Sequence, residues 1–152
     1  MRRKDREIQD INFIESIIQK ASVCRLGLSS NNMPYIVPLN FGYKDRCLYF
    51  HCVEEGKKID MLRSNNSVCF EMDIENELVK AQEPCKWSMK YSSVIGFGKA
   101  FFVKDPGEKK KGLDVIMAHY SPGRVYEYPE SELKHLSVIK VQIEHMTGKK
   151  SG

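Results

Sequence analysis

The stretch Tyr91 to Val103, Y-S-S-V-I-G-F-G-K-A-F-F-V, carries the longest β signal in the chain. Gly96 and Gly98 interrupt it and suggest a bend or the close approach of another group. Just upstream, Ser67 to Asp73 (S-V-C-F-E-M-D) alternates apolar and polar residues as a half-buried strand does. The segment between, Ile74 to Lys90, is polar, holds Pro84 and the lone Trp87, and offers only Leu78-Val79 as an extension of a strand. Downstream, Pro106-Gly107 opens a helix over Glu108 to His119, with Leu113, Ile116 and Met117 as its apolar stripe, and Ser121-Pro122-Gly123 stops it. A loop-like segment rich in Tyr, Pro and Glu reaches about His135. Ser137 to Glu144 then reads as the closing strand through Val138, Ile139, Val141 and Ile143, and Lys149 to Gly152 as a frayed tail.

The N-terminal half has the same texture. Ile8, Ile11, Ile14, Ile17 and Ile18 recur at helical spacing and predict an amphipathic helix over Ile8 to Lys20. Val23 to Ser29 and Pro34 to Phe41 flank the polar turn Ser30-Asn31-Asn32, a β-hairpin pattern. A turn over Gly42 to Arg46 leads to a strand over Cys47 to His51, so these strands read as an antiparallel meander. The next stretch, F-H-C-V-E-E-G-K-K-I-D from Phe50 to Asp60, stops a strand at His51 and opens a short helix over Gly56 to Arg63. About six antiparallel strands with helices between them predict a closed or nearly closed β-barrel, because closure removes exposed edges.

A chain of 152 residues, 41% apolar and 29% charged, has the size and composition of one soluble globular domain, expected to span residues 1–152. No run approaches the roughly 18 apolar residues of a membrane span. The start, Met1 to Asp10, lacks the apolar segment of a secretory signal, which makes cytoplasm the expected location. The 5 cysteines are scattered, without C-x-x-C, and read as buried thiols in a reducing compartment. His51, His119, His135 and His145 show no metal-ligand spacing, so no metal site is expected. The net charge of +4 is spread among the N-terminus, Lys57-Lys58, Lys109 to Lys111 and Lys149-Lys150, and it suits anionic small molecules as well as nucleic acid.

Several chemistries drop out. Gly96-Phe97-Gly98 lacks the third glycine of a dinucleotide fingerprint and lies inside a strand. Ile59 follows Lys58 where a Walker loop needs serine or threonine, and no nucleophile elbow occurs. What remains is a glycine-bearing turn with Lys57 and Lys58 at a helix start, which reads either as a phosphate catch or as a solvated first turn. Hydroxyls at Ser92-Ser93 suit phosphate or ring contacts, and the aromatics could line a flat pocket. A phosphorylated planar cofactor matches that inventory.

Four pieces also resemble a known family: R-K-D-R-E-I at Arg3 to Ile8, P-Y-I-V-P-L-N-F-G-Y at Pro34 to Tyr43, Y-F-H-C-V-E-E-G-K-K-I-D at Tyr49 to Asp60, and Y-S-S-V-I-G-F-G-K-A at Tyr91 to Ala100. In that order they resemble the nitroimidazole-resistance proteins, a branch of the pyridoxamine phosphate oxidase-like FMN-binding split barrels. The resemblance implies a six-stranded antiparallel split barrel, homodimeric, with FMN in symmetric clefts at the interface. It implies that the backbone of Pro38, Leu39 and Asn40 runs along the isoalloxazine edge, and that His51, Gly56, Lys57 and Lys58 hold the phosphate. Ser92, Ser93 and Val94 are then expected to face the flavin, from the same chain or the partner, with Trp87 near the ring. It further implies electron transfer from a donor such as NAD(P)H through FMN to a small aromatic nitro compound, with His51 as the candidate proton donor or substrate contact. Two other readings stay open: a non-catalytic flavin- or haem-binding protein of the same fold, and pyridoxamine phosphate oxidation, for which no arginine-rich substrate end is found.

Overall fold

In a computed structural model describing residues 3–152, Ser88–Val103 forms one strand laddered on both sides. Its even positions Ser92, Val94, Gly96, Gly98 and Ala100 turn inward, while Ile95, Phe97 and Phe101 turn out. Gly96 is glycine because the Phe70 ring occupies the space a Cβ would need, and Gly98 lies where the ladder shifts register against the last strand. Both glycines thus do what the sequence suggested, a close approach at one and an irregularity at the other.

Among the described residues the elements run β1 (Glu7–Ile8), α1 (Ile11–Lys20), β2 (Cys24–Ser30), β3 (Met33–Leu39), β4 (Gly42–Lys44), β5 (Cys47–Val53), α2 (Lys57–Ser64), β6 (Ser67–Val79), β7 (Ser88–Val103), α3 (Pro106–Tyr120), α4 (Glu130–His135) and β8 (Leu136–Ser151). All pairings are antiparallel, in the order β3-β2-β6-β7-β8-β5-β4, with β1 on β8. The two terminal strands of that order, β3 and β4, are consecutive in the chain and unpaired with each other. The sheet therefore curls until its ends meet without a ladder, which is a split barrel.

Leu26, Leu48, Phe50, Phe70, Met72 and Val94 fill the inside, and α1 plugs it with Ile14, Ile17 and Ile18. Each such side chain contributes about 1.5–3 kcal/mol on burial. A second cluster of Leu113, Ile116, Leu133 and Val138 fastens α3 and α4 to the outer face of β8.

The structure corrects the sequence reading in several places. Among the described residues the strands number 8; the additional ones are β1 and β4, each too short to announce itself by alternation. Ile8 belongs to β1, and the helix begins at Ile11 because the Asp10 carboxylate accepts from the Asn12 N–H as its N-cap. Gly42–Lys44 is strand, so the turn is only Asp45-Arg46, both at positive φ. The predicted meander is instead two hairpins at opposite ends of the sheet order. His51 is not a strand end, since β5 continues to Val53. The tail predicted to fray belongs to β8, with Ser151 buried. Of the thiols only Cys24 and Cys47 are buried; Cys52 is half-buried, Cys69 and Cys85 exposed.

Candidate functional site

Strand β5 buries Leu48 and Phe50 and presents His51 to solvent on the opposite face. Two acidic residues later the chain reaches Gly56, whose φ of 120° ends the extended run and serves as the cap of α2. That cap has no side chain, so the first N–H groups of α2 are left for another acceptor. Ile59, Met61 and Leu62 bury the helix beneath the barrel, and Ser64 and Asn65 tie its far end to Ser30 and Ser29.

Anchoring α2 in this way sets its first turn beside two strands. The Lys57 ammonium lies 4.6 Å from the centre of the Tyr35 ring on β3. Lys58 lies near Cys52: burial pushes that thiol up, and the Lys58 charge opposes the shift. Neither lysine has a carboxylate partner among the described residues. Gly56, Lys57 and Lys58 therefore gather beside Tyr35, a neighbour the sequence reading missed and whose only sequence signal was its place in Pro34 to Tyr43, and beside Cys52, whereas His51, adjacent to Cys52 on β5, projects to the opposite face of the strand.

The other expected residues lie elsewhere in the chain. His51 pairs with Val138, which pairs with Val103, whereas Val94 pairs with Gly148. The nine positions from Val94 to Val103 correspond to about 30 Å of strand. Within one chain Ser92, Ser93 and Val94 therefore do not share a site with His51. Ser92 is buried inward, Ser93 is buried on the outer side, and Val94 has its side chain wholly in the core. Pro38 pairs with Arg25, Arg25 with Glu71, and Glu71 with Ile95, so Pro38 stands level with the Ser92 to Ile95 segment, three strand spacings or about 14 Å across the sheet. Leu39 ends β3 and Asn40 follows it, exposed. Trp87 is half exposed at the tip of the β6–β7 hairpin, its indole N–H donating to the Ala81 carbonyl at 2.8 Å.

Two further arrangements had no sequence signal. Across β2 and β6 the Arg25 guanidinium reaches Glu71 at 3.1 Å and Asp73 at 2.6 Å. At the end of α3, the Tyr120 hydroxyl accepts from the buried Phe41 N–H at 3.1 Å and donates to the Ser22 carbonyl at 2.8 Å, while His119 Nε2 bonds the Ala21 carbonyl at 2.6 Å. This clamp fixes the link that follows Pro38 to Asn40.

The fold is thus a mainly β, antiparallel split barrel in which a basic helix start follows the strand that carries the exposed His51. The sequence profile of the pyridoxamine 5′-phosphate oxidase family matches residues 11–150, and the chain belongs to that family. A protein of Bacteroides thetaiotaomicron assigned to 5-nitroimidazole antibiotic resistance is 40% identical, over 94% of this chain and 85% of its own, with a TM-score of 0.85. The flavocytochrome Anf3 from Azotobacter vinelandii shares the fold at 19% identity, over 100% of this chain and 72% of its own, with a TM-score of 0.88. An FAD- and haem-binding protein from Mycobacterium smegmatis shares it at 17% identity, over 96% and 73%, with a TM-score of 0.87. No curated protein matches the chain.

Proposed function

We propose that this protein is a homodimeric FMN-dependent oxidoreductase of the nitroimidazole-reductase type, passing electrons from a nicotinamide donor to a small aromatic nitro compound. The observation that carries the reading is the pair of uncompensated ammonium groups at the side-chain-free start of α2, just after the strand that carries His51, in a chain 40% identical to a protein assigned to nitroimidazole resistance. The residues fit the cofactor: a phosphate at Gly56 to Lys58 meets backbone N–H donors, the positive end of a helix and charge-assisted hydrogen bonds together.

When bound, the flavin supplies hydride and electron transfer. The residues of this chain bind and orient it: Lys57 and Lys58 neutralise the phosphate, and Pro38 to Asn40 offer backbone to the ring edge. Reducing a nitro group consumes protons, and His51, exposed on β5, can hold and deliver one at its ring nitrogen.

The dimer supplies what one chain lacks. Ser92 to Val94 lie about 30 Å along the sheet from the level of His51, too far to join the same small-molecule site. A partner molecule can bring its own Ser92 to Val94 to this end, and the outer face of β7 offers a surface for it: Ile95, Phe97 and Phe101 are 48%, 55% and 47% exposed.

Purified protein is expected to be yellow, to release FMN on heating, and to oxidise NAD(P)H when a nitroimidazole is added. Colourless protein that cannot be reconstituted with FMN would overturn the reading. Bound flavin that no donor reduces would leave a carrier, and turnover of pyridoxamine phosphate alone would make it an oxidase.

A further inference from the structure

The sequence run Lys109-Lys110-Lys111 plays no part in the site above. In the fold, Lys109 and Lys110 lie in the first turns of α3 and border a cavity of about 380 Å³ between α3 and α4. Lys104 and Lys134 line it too, and Pro106 and Leu133 give it an apolar side. Glu130 is the one acidic residue in the lining. The nearby acids are engaged: Asp105 accepts from the Glu108 N–H at 2.9 Å, and Glu108 pairs with Lys111 at 3.0 Å.

Lys109 is held in place. Its ammonium, half-buried, donates to the Leu133 carbonyl at 3.1 Å and the Leu136 carbonyl at 2.8 Å, which leaves its third N–H free. Lys104, Lys110 and Lys134 have no carboxylate partner among the described residues. Gathered ammonium groups repel one another, and an anion bearing more than one charge relieves that repulsion. The volume falls at the small end of ligand pockets, enough for a diphosphate and part of its sugar.

Position supplies the link to function. Val103, the residue before Lys104, pairs with Val138, and Val138 pairs with His51. Cross-strand partners project to the same face of a sheet, so His51, Val138 and the α3–α4 layer packed on Val138 share the outer face. His51 and Val103 are two strand spacings, about 10 Å, apart. A ligand anchored by its phosphates among these lysines can extend to His51.

We propose that this pocket binds the diphosphate of the dinucleotide electron donor, placing its nicotinamide end toward the site at His51. The inference rests on the oxidoreductase reading for its assignment to the donor. The pocket itself stands on the lysine geometry alone.

The test uses the full-length protein as purified with its flavin, and the redox-inert probe ADP-ribose in calorimetric titration. Lys104→Ala, Lys110→Ala and Lys134→Ala combined should weaken ADP-ribose binding by about ten-fold or more, the loss expected from removing charge-assisted contacts. It should raise the KM for NAD(P)H in parallel, leave kcat and flavin content unchanged, and keep the thermal midpoint of the parent, since all three side chains are exposed. Lys57→Ala with Lys58→Ala should reduce flavin content but not ADP-ribose affinity. Unaltered ADP-ribose binding in the triple variant overturns the pocket. Flavin lost from the triple variant but kept by the Lys57/Lys58 variant assigns the lysines to the cofactor and overturns the donor role. Protein without any flavin that binds ADP-ribose through these lysines sinks the oxidoreductase reading and the donor role with it, but upholds the diphosphate pocket.

Discussion

At Gly56 the constraint is conformational. No atom lies within 4 Å of where its Cβ would stand, yet φ is 120°, a region that only glycine adopts without strain. Gly56→Ala should cost about 1–3 kcal/mol, appearing as lower stability or as a displaced α2 start with weaker FMN binding. Denaturant midpoints and an FMN titration read the two together, and a variant matching the parent in both would show that this turn relaxes freely. Removing both ammonium groups with Lys57→Ala and Lys58→Ala should cost FMN binding a further few kcal/mol without lowering stability. Full FMN affinity in that variant places the phosphate elsewhere. The carboxylates sharing Arg25 behave oppositely. Asp73 is held below the ordinary carboxylate range, first by the Asn76 amide and, against its burial, by Arg25. Glu71 is pushed up, first by burial and then by the charge of Asp73. A lowered carboxyl contributes stability that is present above its unfolded value, about 3.9, and lost as pH falls through the folded one. A raised carboxyl costs stability at neutral pH, and the cost disappears as pH falls through its raised value. At pH 7, Asp73→Asn should therefore destabilise by about 0.5–1.5 kcal/mol while Glu71→Gln is neutral or stabilising. As pH falls below the lowered value of Asp73, both variants should converge on the parent. Equal losses at neutral pH would refute this division of roles, and chemical denaturation across pH measures it.

Among the elements, α3 does the least visible work. Gly42 and Gly112 let it approach closely: a Cβ on Gly42 would meet the Val115 backbone, and one on Gly112 the Tyr49 and Val138 side chains. Its last residues then clamp Ala21, Ser22 and Phe41. Tyr120→Phe leaves the wholly buried Phe41 N–H without its acceptor, which should cost about 1–3 kcal/mol. Because the loss falls next to Asn40, the absorption spectrum of bound flavin should shift as well. An unshifted spectrum with reduced stability would confine the clamp to a structural role. None of this was legible in the sequence. The alternation of Ser67 to Asp73 and of Val23 to Ser29, and the length of Tyr91 to Val103, revealed the long strands because burial on one face imposes period two. The basic turn after His51 was legible because Gly and paired Lys are local. Strand order was not: short turns suggested a meander, but β2 pairs with β6 and β5 with β8, pairings set by burying α1 inside the curl. Glu75 at positive φ, where β6 shifts register and continues to Val79, gave no signal either. The polarity of Glu75 to Glu77 hid a strand whose side chains there face solvent.

At the scale of the molecule, the separation of His51 from Ser92 to Val94 makes a prediction that a one-chain site cannot share. If each flavin cleft takes its phosphate wall from one molecule and its Ser92 to Val94 wall from the partner, two defective variants can restore each other. Take Lys57→Ala with Lys58→Ala as one, and Ser93→Asp, which sets a charge on the outer side of β7, as the other. Each alone should bind little FMN. In a heterodimer one cleft collects both lesions and the other collects neither, so the second cleft is intact. Random mixing makes about half of the dimers mixed, and about a quarter of the parental FMN capacity should return. Circular dichroism and sedimentation on each variant establish that it folds and dimerises before mixing. Phe97→Glu, which puts a carboxylate in the exposed apolar stripe, should give folded monomers without flavin and should rescue neither variant. Recovery of capacity on mixing cannot arise from clefts built within single chains, because every chain in the mixture then carries a lesion in its only site. Absence of recovery among dimers proven to be mixed would therefore return Ser92 to Val94 to a purely structural part in the barrel.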